Sequence, residues 1–328
     1  MSTALEIAQK VANLNRISQH MKGLRFHGNS VVSTNLTNTF RATGLPFEGL
    51  DCLVDSDTFL AAYKSFKAPV VEQKELLLTV KSATAKSKVD LMLKDTKNYN
   101  IELEKAPAGV SIDPQGFLTA IKRLLPFLKI ANNQLWALEN HLYCADPYFV
   151  VRTPADCELP TFDRPITIPL QVSELLQQID DKPIAVFIDE DALTFQFENC
   201  SIESARFNPA LAGDYTALFK NGYDEIKFDV LPEEVLEGLK NMVGFADKAD
   251  TISFGPMGIT LMQAGKVSWS VAHPMPNMLF NAGALKTVLA HGTDFCFEDP
   301  TRIAFRSRDV EGFWASMSLV KAGEEAVV

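Results

Sequence analysis

Apolar residues return every three or four positions in six stretches of the chain, and between those stretches they alternate or run on unbroken. The first stretch, Thr3 to His20, places Ile7, Val11, Leu14, Ile17 and Met21 on one helical face. The second opens at Asp55-Ser56-Asp57, where the short polar side chain of an N-cap satisfies an orphan backbone N–H, and buries Phe59, Leu60 and Tyr63. Asp113-Pro114 starts the third, a cap followed by a first-turn proline, with Phe117, Ile121, Leu124 and Leu128 as its stripe. The fourth follows Ile168-Pro169-Leu170 and runs through Leu175 and Leu176. Leu231-Pro232-Glu233-Glu234 begins the fifth, with acids where the helix dipole favours them. The last opens at Asn281 and continues through Leu285, Val288 and Leu289.

Strand-like runs lie between them, among them 76–80, 184–188, 193–197 and 303–306. Asp189-Glu190-Asp191 separates two such runs, and the three carboxylates suit a solvated hairpin turn better than a metal site. Helix starts recur about every 50 to 60 residues, and alternate starts about every 110 to 120. The expected architecture is therefore α+β: a helix plus a few antiparallel strands, used six times. Two units per domain give three similar domains, 1–107, 108–222 and 223–328, with joints near Ala106-Pro107-Ala108-Gly109 and Phe219-Lys220-Asn221-Gly222.

Composition changes this picture little. With 328 residues, 47% of them apolar, the chain is long enough for two or three cores. No apolar run reaches the roughly 18 residues that span a bilayer, and no basic-then-apolar leader opens the sequence, so a cytoplasmic location is expected. The five cysteines are odd in number and scattered, without a CxxC pair or a histidine at ligand spacing, which fits reduced thiols and no metal or other cofactor. A net charge of −10 excludes a broad basic surface for nucleic acid but not basic residues gathered on one face.

The order of segments now carries a resemblance. In the middle of the chain Ile168-Pro169-Leu170 leads into a helix, then come 184–197, then Ile202-Glu203-Ser204-Ala205-Arg206-Phe207, then Gly213-Asp214-Tyr215-Thr216-Ala217-Leu218. The last third repeats it with Leu279-Phe280-Asn281-Ala282, 295–297, 303–306 and 313–319. In order and spacing this resembles the bacterial β sliding clamp of DNA polymerase, over nearly the whole chain. This chain has Ala145-Asp146-Pro147-Tyr148-Phe149-Val150 where bacterial clamps usually carry a Thr-Asp-Gly-His-Arg-Leu-like segment, and Ser316-Met317-Ser318-Leu319-Val320 followed by 321–328 where they end in a Pro-Met-Arg-Leu-like tail. These departures mark a divergent clamp, of the kind a bacteriophage could encode.

The resemblance implies a DNA-clamp fold with two helices per domain on antiparallel sheets, closing as a head-to-tail homodimer with helices inside and sheets outside. It implies double-stranded DNA, a DNA polymerase and a clamp loader as partners. Such a ring must slide, so it needs weak, non-directional attraction to phosphate from helix faces opposite the core stripe. On the first helix Lys10, Asn13, Arg16 and His20 fall on that face; Lys122, Arg123 and Lys129 belong to the third, followed by Asn132, Asn133 and Gln134 in an implied DNA-contacting loop. Lys64 and Lys67, Lys240, and Lys286 belong to the second, fifth and sixth. Acids such as Glu102, Glu104, Asp189, Glu190, Asp191, Glu198 and Glu203 fall in strands and turns, which would leave an acidic outside around a modestly basic hole. The family's second surface is an apolar pocket for a short peptide of polymerases and loaders; the positions matching its walls are Tyr148, Phe149, Tyr215, Leu218, Met317 and Leu319.

Enzymatic readings find no support in the motifs: the sequence has no GxxxxGK[ST], no GxGxxG after a strand, no HExxH and no GxSxG, and its five histidines are isolated. Two rivals remain, a three-chain clamp with two domains per chain and a polymerase accessory subunit that binds duplex as a monomer.

Overall fold

The computed structural model describes the chain apart from residues 1, 14–21, 85, 98, 100, 103, 104, 132–134, 147, 148, 162–164, 178, 180, 181, 206–214, 221, 222, 229, 230, 264, 265 and 318–328, and apart from the side chains of 2, 3, 129–131, 146, 215, 216 and 266–268. Seven α-helices are present among the described residues: α1 (Ser2–Asn13), α2 (Ser56–Lys64), α3 (Pro114–Ala131), α4 (Leu170–Leu176), α5 (Tyr215–Lys220), α6 (Glu233–Phe245) and α7 (Ala282–His291). Six start within a residue or two of where the sequence predicts them. The Asp55 carboxylate accepts the Thr58 N–H at 3.1 Å at the head of α2, and the Asn281 side chain accepts the Ala284 N–H at 3.1 Å at the head of α7. Pro232 precedes α6 without a side-chain cap, and Glu233 and Glu234 occupy its first turn. The seventh, α5, is six residues long, too short for a helical stripe to register in the sequence.

Contacts divide the chain into two compact units, 1–115 with 171–207, and 116–170 with 208–328. In the first, an eight-stranded sheet runs in the order Leu50–Asp55, Gly23–Gly28, Ser30–Thr34, Asn38–Ala42, Cys200–Ala205, Ala192–Gln196, Ala185–Ile188, Val110–Ile112, beside a three-stranded sheet of Pro69–Lys74, Leu77–Ser82 and Lys88–Met92. In the second, a seven-stranded sheet runs Ile166–Ile168, Leu135–Leu138, His141–Asp146, Phe149–Pro154, Glu311–Ala315, Arg302–Arg306, Asp294–Cys296, beside a four-stranded sheet of Lys266–Val271, Gly258–Gln263, Thr251–Gly255 and Met278–Asn281. Every pairing is antiparallel.

These sheets are built from two modules, each used three times. One is a three-strand meander whose first strand also pairs with a fourth: 23–55, 135–168 and 251–281. The other is a plain three-strand meander: 69–92, 185–205 and 294–315. A helix precedes each module, so six helix-and-sheet units make up the chain, with α5 as an addition.

Within each unit the modules join through their last strands. Asn38–Ala42 pairs with Cys200–Ala205, and Phe149–Pro154 with Glu311–Ala315. Side chains fasten both seams. Arg41 reaches Glu203 at 3.0 Å, where Lys105 also arrives at 2.9 Å, and Arg152 reaches Glu311 at 2.7 Å. The Arg152 guanidinium also lies 4.1 Å from the ring centroid of Phe219, which sits in a buried cluster with Tyr143, Tyr223 and Phe313. Phe219, at an expected joint, is buried. The Asp189–Asp191 segment is the expected hairpin turn, with the Asp189 carboxylate accepting the N–H groups of Asp191 and Ala192 at 2.7 and 2.6 Å.

The α2 cap yields a pH-dependent prediction. Burial pushes the Asp55 carboxyl up, but hydrogen bonds from Thr58 and Lys94 outweigh it and hold the group below the usual carboxylate range. Stability from such a depressed group is present above its unfolded pKa and is lost as pH falls through the folded one. Asp55→Ala should cost about 1 to 2 kcal/mol near neutrality, and the gap from wild type should close as acid protonates Asp55. Asn281→Ala removes a cap that does not titrate, so its deficit should persist across the same range. Denaturant melts at several pH values measure both.

Candidate nucleic-acid interface

Each helix turns an apolar stripe to its sheet and a polar one outward. On α1 Leu5, Ala8, Val11 and Ala12 are buried, and Lys10 is exposed. On α3 Phe117, Ala120, Ile121, Leu124 and Leu128 are buried, and Lys122 is exposed. Lys240 projects from α6 and Lys286 from α7, each opposite a buried aliphatic row. The helices pack in pairs, α1 with α2 in the first unit and α6 with α7 in the second. Lys67, just beyond α2, is exposed as well.

Acids temper some of the exposed cations. Lys64 of α2 is bound to Glu6 of α1 at 2.6 Å, and this hydrogen bond holds the Glu6 carboxyl below its ordinary pKa. The amides of Gln9 and Asn13 both donate to Asp57 at 2.6 Å, and Ser56 donates to Asn13 at 3.1 Å. The outer face of the α1–α2 pair thus mixes amides, lysines and two acids. On α6, Glu233, Glu234 and Glu237 are exposed near Lys240.

Arg123 differs from the other candidates. It turns back into its own unit, 2.6 Å from Asp156 and 3.3 Å from Asp309. Arg16, His20, Asn132, Asn133 and Gln134 lie outside the described residues, as does the side chain of Lys129.

Of the six candidate peptide-pocket residues, three are described as side chains, all in the second unit. Phe149 is 4% exposed and stacks on Trp314 with centroids 4.7 Å apart, so its ring is part of the packed sheet. Leu218 on α5 is 38% exposed. It is flanked by buried Phe219 and by Lys220, which pairs with Glu139 at 2.8 Å, so α5 is held by its neighbours while Leu218 faces outward. Met317 is half-buried, and its N–H donates to the Leu279 carbonyl at 2.8 Å. Tyr148 and Leu319 lie outside the described residues, as does the Tyr215 side chain. A mainly apolar cavity of about 260 Å³ opens in the same unit between Leu231, Pro232, Met275, Pro276, Phe295 and Phe297, with His273 and Glu298 at its wall, and none of the three described candidates lines it.

Two features escaped sequence reasoning. Lys88–Met92 and Lys266–Val271 each end a sheet and keep one edge unpaired among the described strands. The exposed apolar residues Val89, Met92 and Trp269 belong to them, and Phe245 of α6, 70% exposed, stacks on Trp269 at 5.2 Å. A run of alternating residues announces a strand; nothing in it announces which strand will lack a neighbour. The five cysteines are all free thiols. Burial pushes the Cys52 thiol up to about 12, so at neutral pH it is protonated and inert. No helix among the described residues is long and apolar enough to cross a membrane.

No protein-family model and no curated protein matches the chain. Solved structures do, along nearly the full length of both partners. The fold is that of the bacterial β sliding clamps. The chain is similar to the DNA polymerase III β subunit of Pseudomonas aeruginosa, with a TM-score of 0.70, 13% identity and 97% of each chain covered. A putative DNA polymerase III β subunit of Eubacterium rectale gives 0.72 at 10% identity, with 96% of each chain covered. The Helicobacter pylori β clamp, solved bound to a DNA ligase peptide, gives 0.68 at 12% identity and 97% coverage of each chain.

The geometry separates two kinds of cation. Replacing Lys10, Lys122, Lys240 and Lys286 by Ala should weaken DNA binding alike for all sequences, and each lost phosphate contact should lower the slope of log affinity against log salt by about 1. Arg123→Ala breaks ion pairs within its unit, so it should lower thermal stability and leave the salt slope nearly unchanged. Titrations at several salt concentrations, with melting curves, distinguish the two.

Proposed function

We propose that this chain is a DNA sliding clamp, a polymerase processivity factor that encircles duplex DNA and does no catalysis of its own. The observation that carries this reading is the likeness to β sliding clamps over 97% of the chain, made from the same modules three times over. A ring has little use for sequence-specific contacts, and the sparse, partly neutralised lysines suit a surface that holds phosphate loosely and slides. Its acid-rich exterior accounts for the net charge of −10.

The ring is a head-to-tail homodimer. Three similar domains per chain, 1–107, 108–222 and 223–328, supply half of it. The supporting observation is the pattern of seams: twice within the chain the third strand of a four-strand module pairs with the third strand of a three-strand module. One strand of each kind is left over, Lys266–Val271 and Lys88–Met92, and a second copy offers the missing neighbour to each. Heterologous contacts of this kind close when the rotation permits.

The partners are double-stranded DNA, a replicative DNA polymerase and a clamp loader, acting in the cytoplasm of a bacterium or of a phage-infected host. The proteins dock a short apolar peptide around Leu218 and Met317, with Tyr148, Tyr215 and Leu319 as further walls. Exposed Leu218 on a braced helix is the feature that favours this surface.

Light scattering at micromolar concentration should give about twice the chain mass of 36.3 kDa. Protein loaded on a closed DNA circle should stay bound and should run off when the circle is cut. A monomer at every concentration, or equal retention on cut and uncut DNA, would point instead to a one-sided DNA binder.

The peptide surface has its own test. Central anchors often cost about 2 kcal/mol or more of binding when truncated. Leu218→Ala with Met317→Ala should therefore abolish stimulation of polymerase processivity while the dimer and the circular dichroism spectrum stay unchanged. Full stimulation by a folded double variant would place the partner site elsewhere.

A further inference from the structure

The two seams inside the chain share a register but differ in the side chains beneath it. Arg41 faces Ser201 in the first seam and Arg152 faces Glu311 in the second. Three residues back from each arginine, Asn38 faces Ser204 and Phe149 faces Trp314. Across the neighbouring hairpin, Ser33 faces Phe40 as Cys144 faces Val151. The second seam thus fills these three places with two rings stacked at 4.7 Å and a buried thiol. The first fills them with an amide and two hydroxyls, on residues that are all 0% exposed.

The backbone of Asn38 is satisfied. Its N–H donates to the Asn35 side chain at 2.6 Å, and its carbonyl accepts the Thr34 hydroxyl at 3.0 Å and the Asn35 N–H at 3.1 Å. Its side chain is not. Neither end of the amide finds a hydrogen-bond partner among the described residues, and neither does the hydroxyl of Ser33 or of Ser204. A buried polar atom left bare costs at least as much as a lost hydrogen bond, so four in one place call for a common partner. Side chains opposed as Asn38 and Ser204 are lie about 5 Å apart at Cβ, and diagonal ones such as Asn38 and Ser33 about 7 Å, spans that one or two small molecules bridge. The groups are uncharged and mix donors with acceptors, so the occupant must be neutral, small and capable of both roles. We propose that Ser33, Asn38 and Ser204 bind buried water, which makes the first seam a hydrated polar joint where the second is a dry aromatic one. Bridging waters exchange their hydrogen bonds at little cost, whereas stacked rings lose contact when they shift. The first seam can therefore give, and the second holds firm under α5 and Leu218.

A crystal structure at a resolution that shows waters should place at least one between the Asn38 amide and a serine hydroxyl, at about 2.7 to 3.2 Å from each. An Asn38 amide bonded instead to another protein group, Ser204 included, would overturn the proposal. Stability gives a second reading that needs no crystal. Removing a bare buried hydroxyl relieves its desolvation cost, while removing one that holds water leaves that water short of a partner. Ser33→Ala and Ser204→Ala each delete a single oxygen and leave the packing otherwise intact. Each should lower the denaturant midpoint of the full chain, and the double variant should lower it by less than the sum, because the two hydroxyls share their water. A midpoint that stays put or rises in both single variants sinks the hydrated seam.

Discussion

A strand at the end of a sheet presents a row of backbone N–H and C=O groups to water, and the pairing of such rows governs this molecule. Each module is small, three or four strands and one helix. Joining a piece of four strands to a piece of three makes the seven-stranded sheet, and with Val110–Ile112 added at its end the eight-stranded one. The seam does more than satisfy hydrogen bonds. It sets Phe149 on Trp314, brings Arg152 to Glu311, and so holds Phe219 and the short helix α5 against the sheet. The surface around Leu218 exists because the seam beneath it is closed.

The charges divide according to the same construction. Cations on the sheets are consumed structurally, as Arg41, Arg152 and Lys105 are in the seams and Arg25 is by Asp51. Cations on the helix faces are left for other work, and several are tempered by acids nearby, as Lys64 is by Glu6. A net charge of −10 is therefore compatible with the proposed clamp. The net charge counts acids that sit in hairpins and strands, while the helix faces carry near-balanced polar groups. Exposed pairs of this kind are worth little for stability, so their placement answers to the field at the surface more than to folding.

Much of the architecture is legible from residues close together in the chain. Helix starts follow from Asp55, Asp113-Pro114 and Asn281, because capping is a contact across two or three residues, and at α6 from Pro232 with Glu233 and Glu234 in the first turn. The hairpin at Asp189 and the recurrence of six helix-and-strand units follow from patterns of similar reach. What stayed hidden depends on partners distant in sequence. Arg123 has the look of a phosphate-binding residue on an exposed helix face, yet Asp156 and Asp309 claim it. Phe149 matches a pocket wall in sequence and proves to be buried against Trp314. Helix α5 was missed because six residues cannot display a period.

The sequence by itself determined the kind of elements, their order and their threefold recurrence, since these rest on local propensity and on the spacing of apolar side chains. The tertiary structure alone decided which strand lies beside which, and hence that Lys88–Met92 and Lys266–Val271 are left with an open edge. The reason is physical. Backbone hydrogen bonding between strands is nearly indifferent to side-chain identity, so a strand's neighbour is chosen by the packing of whole modules rather than by any signal the strand itself carries.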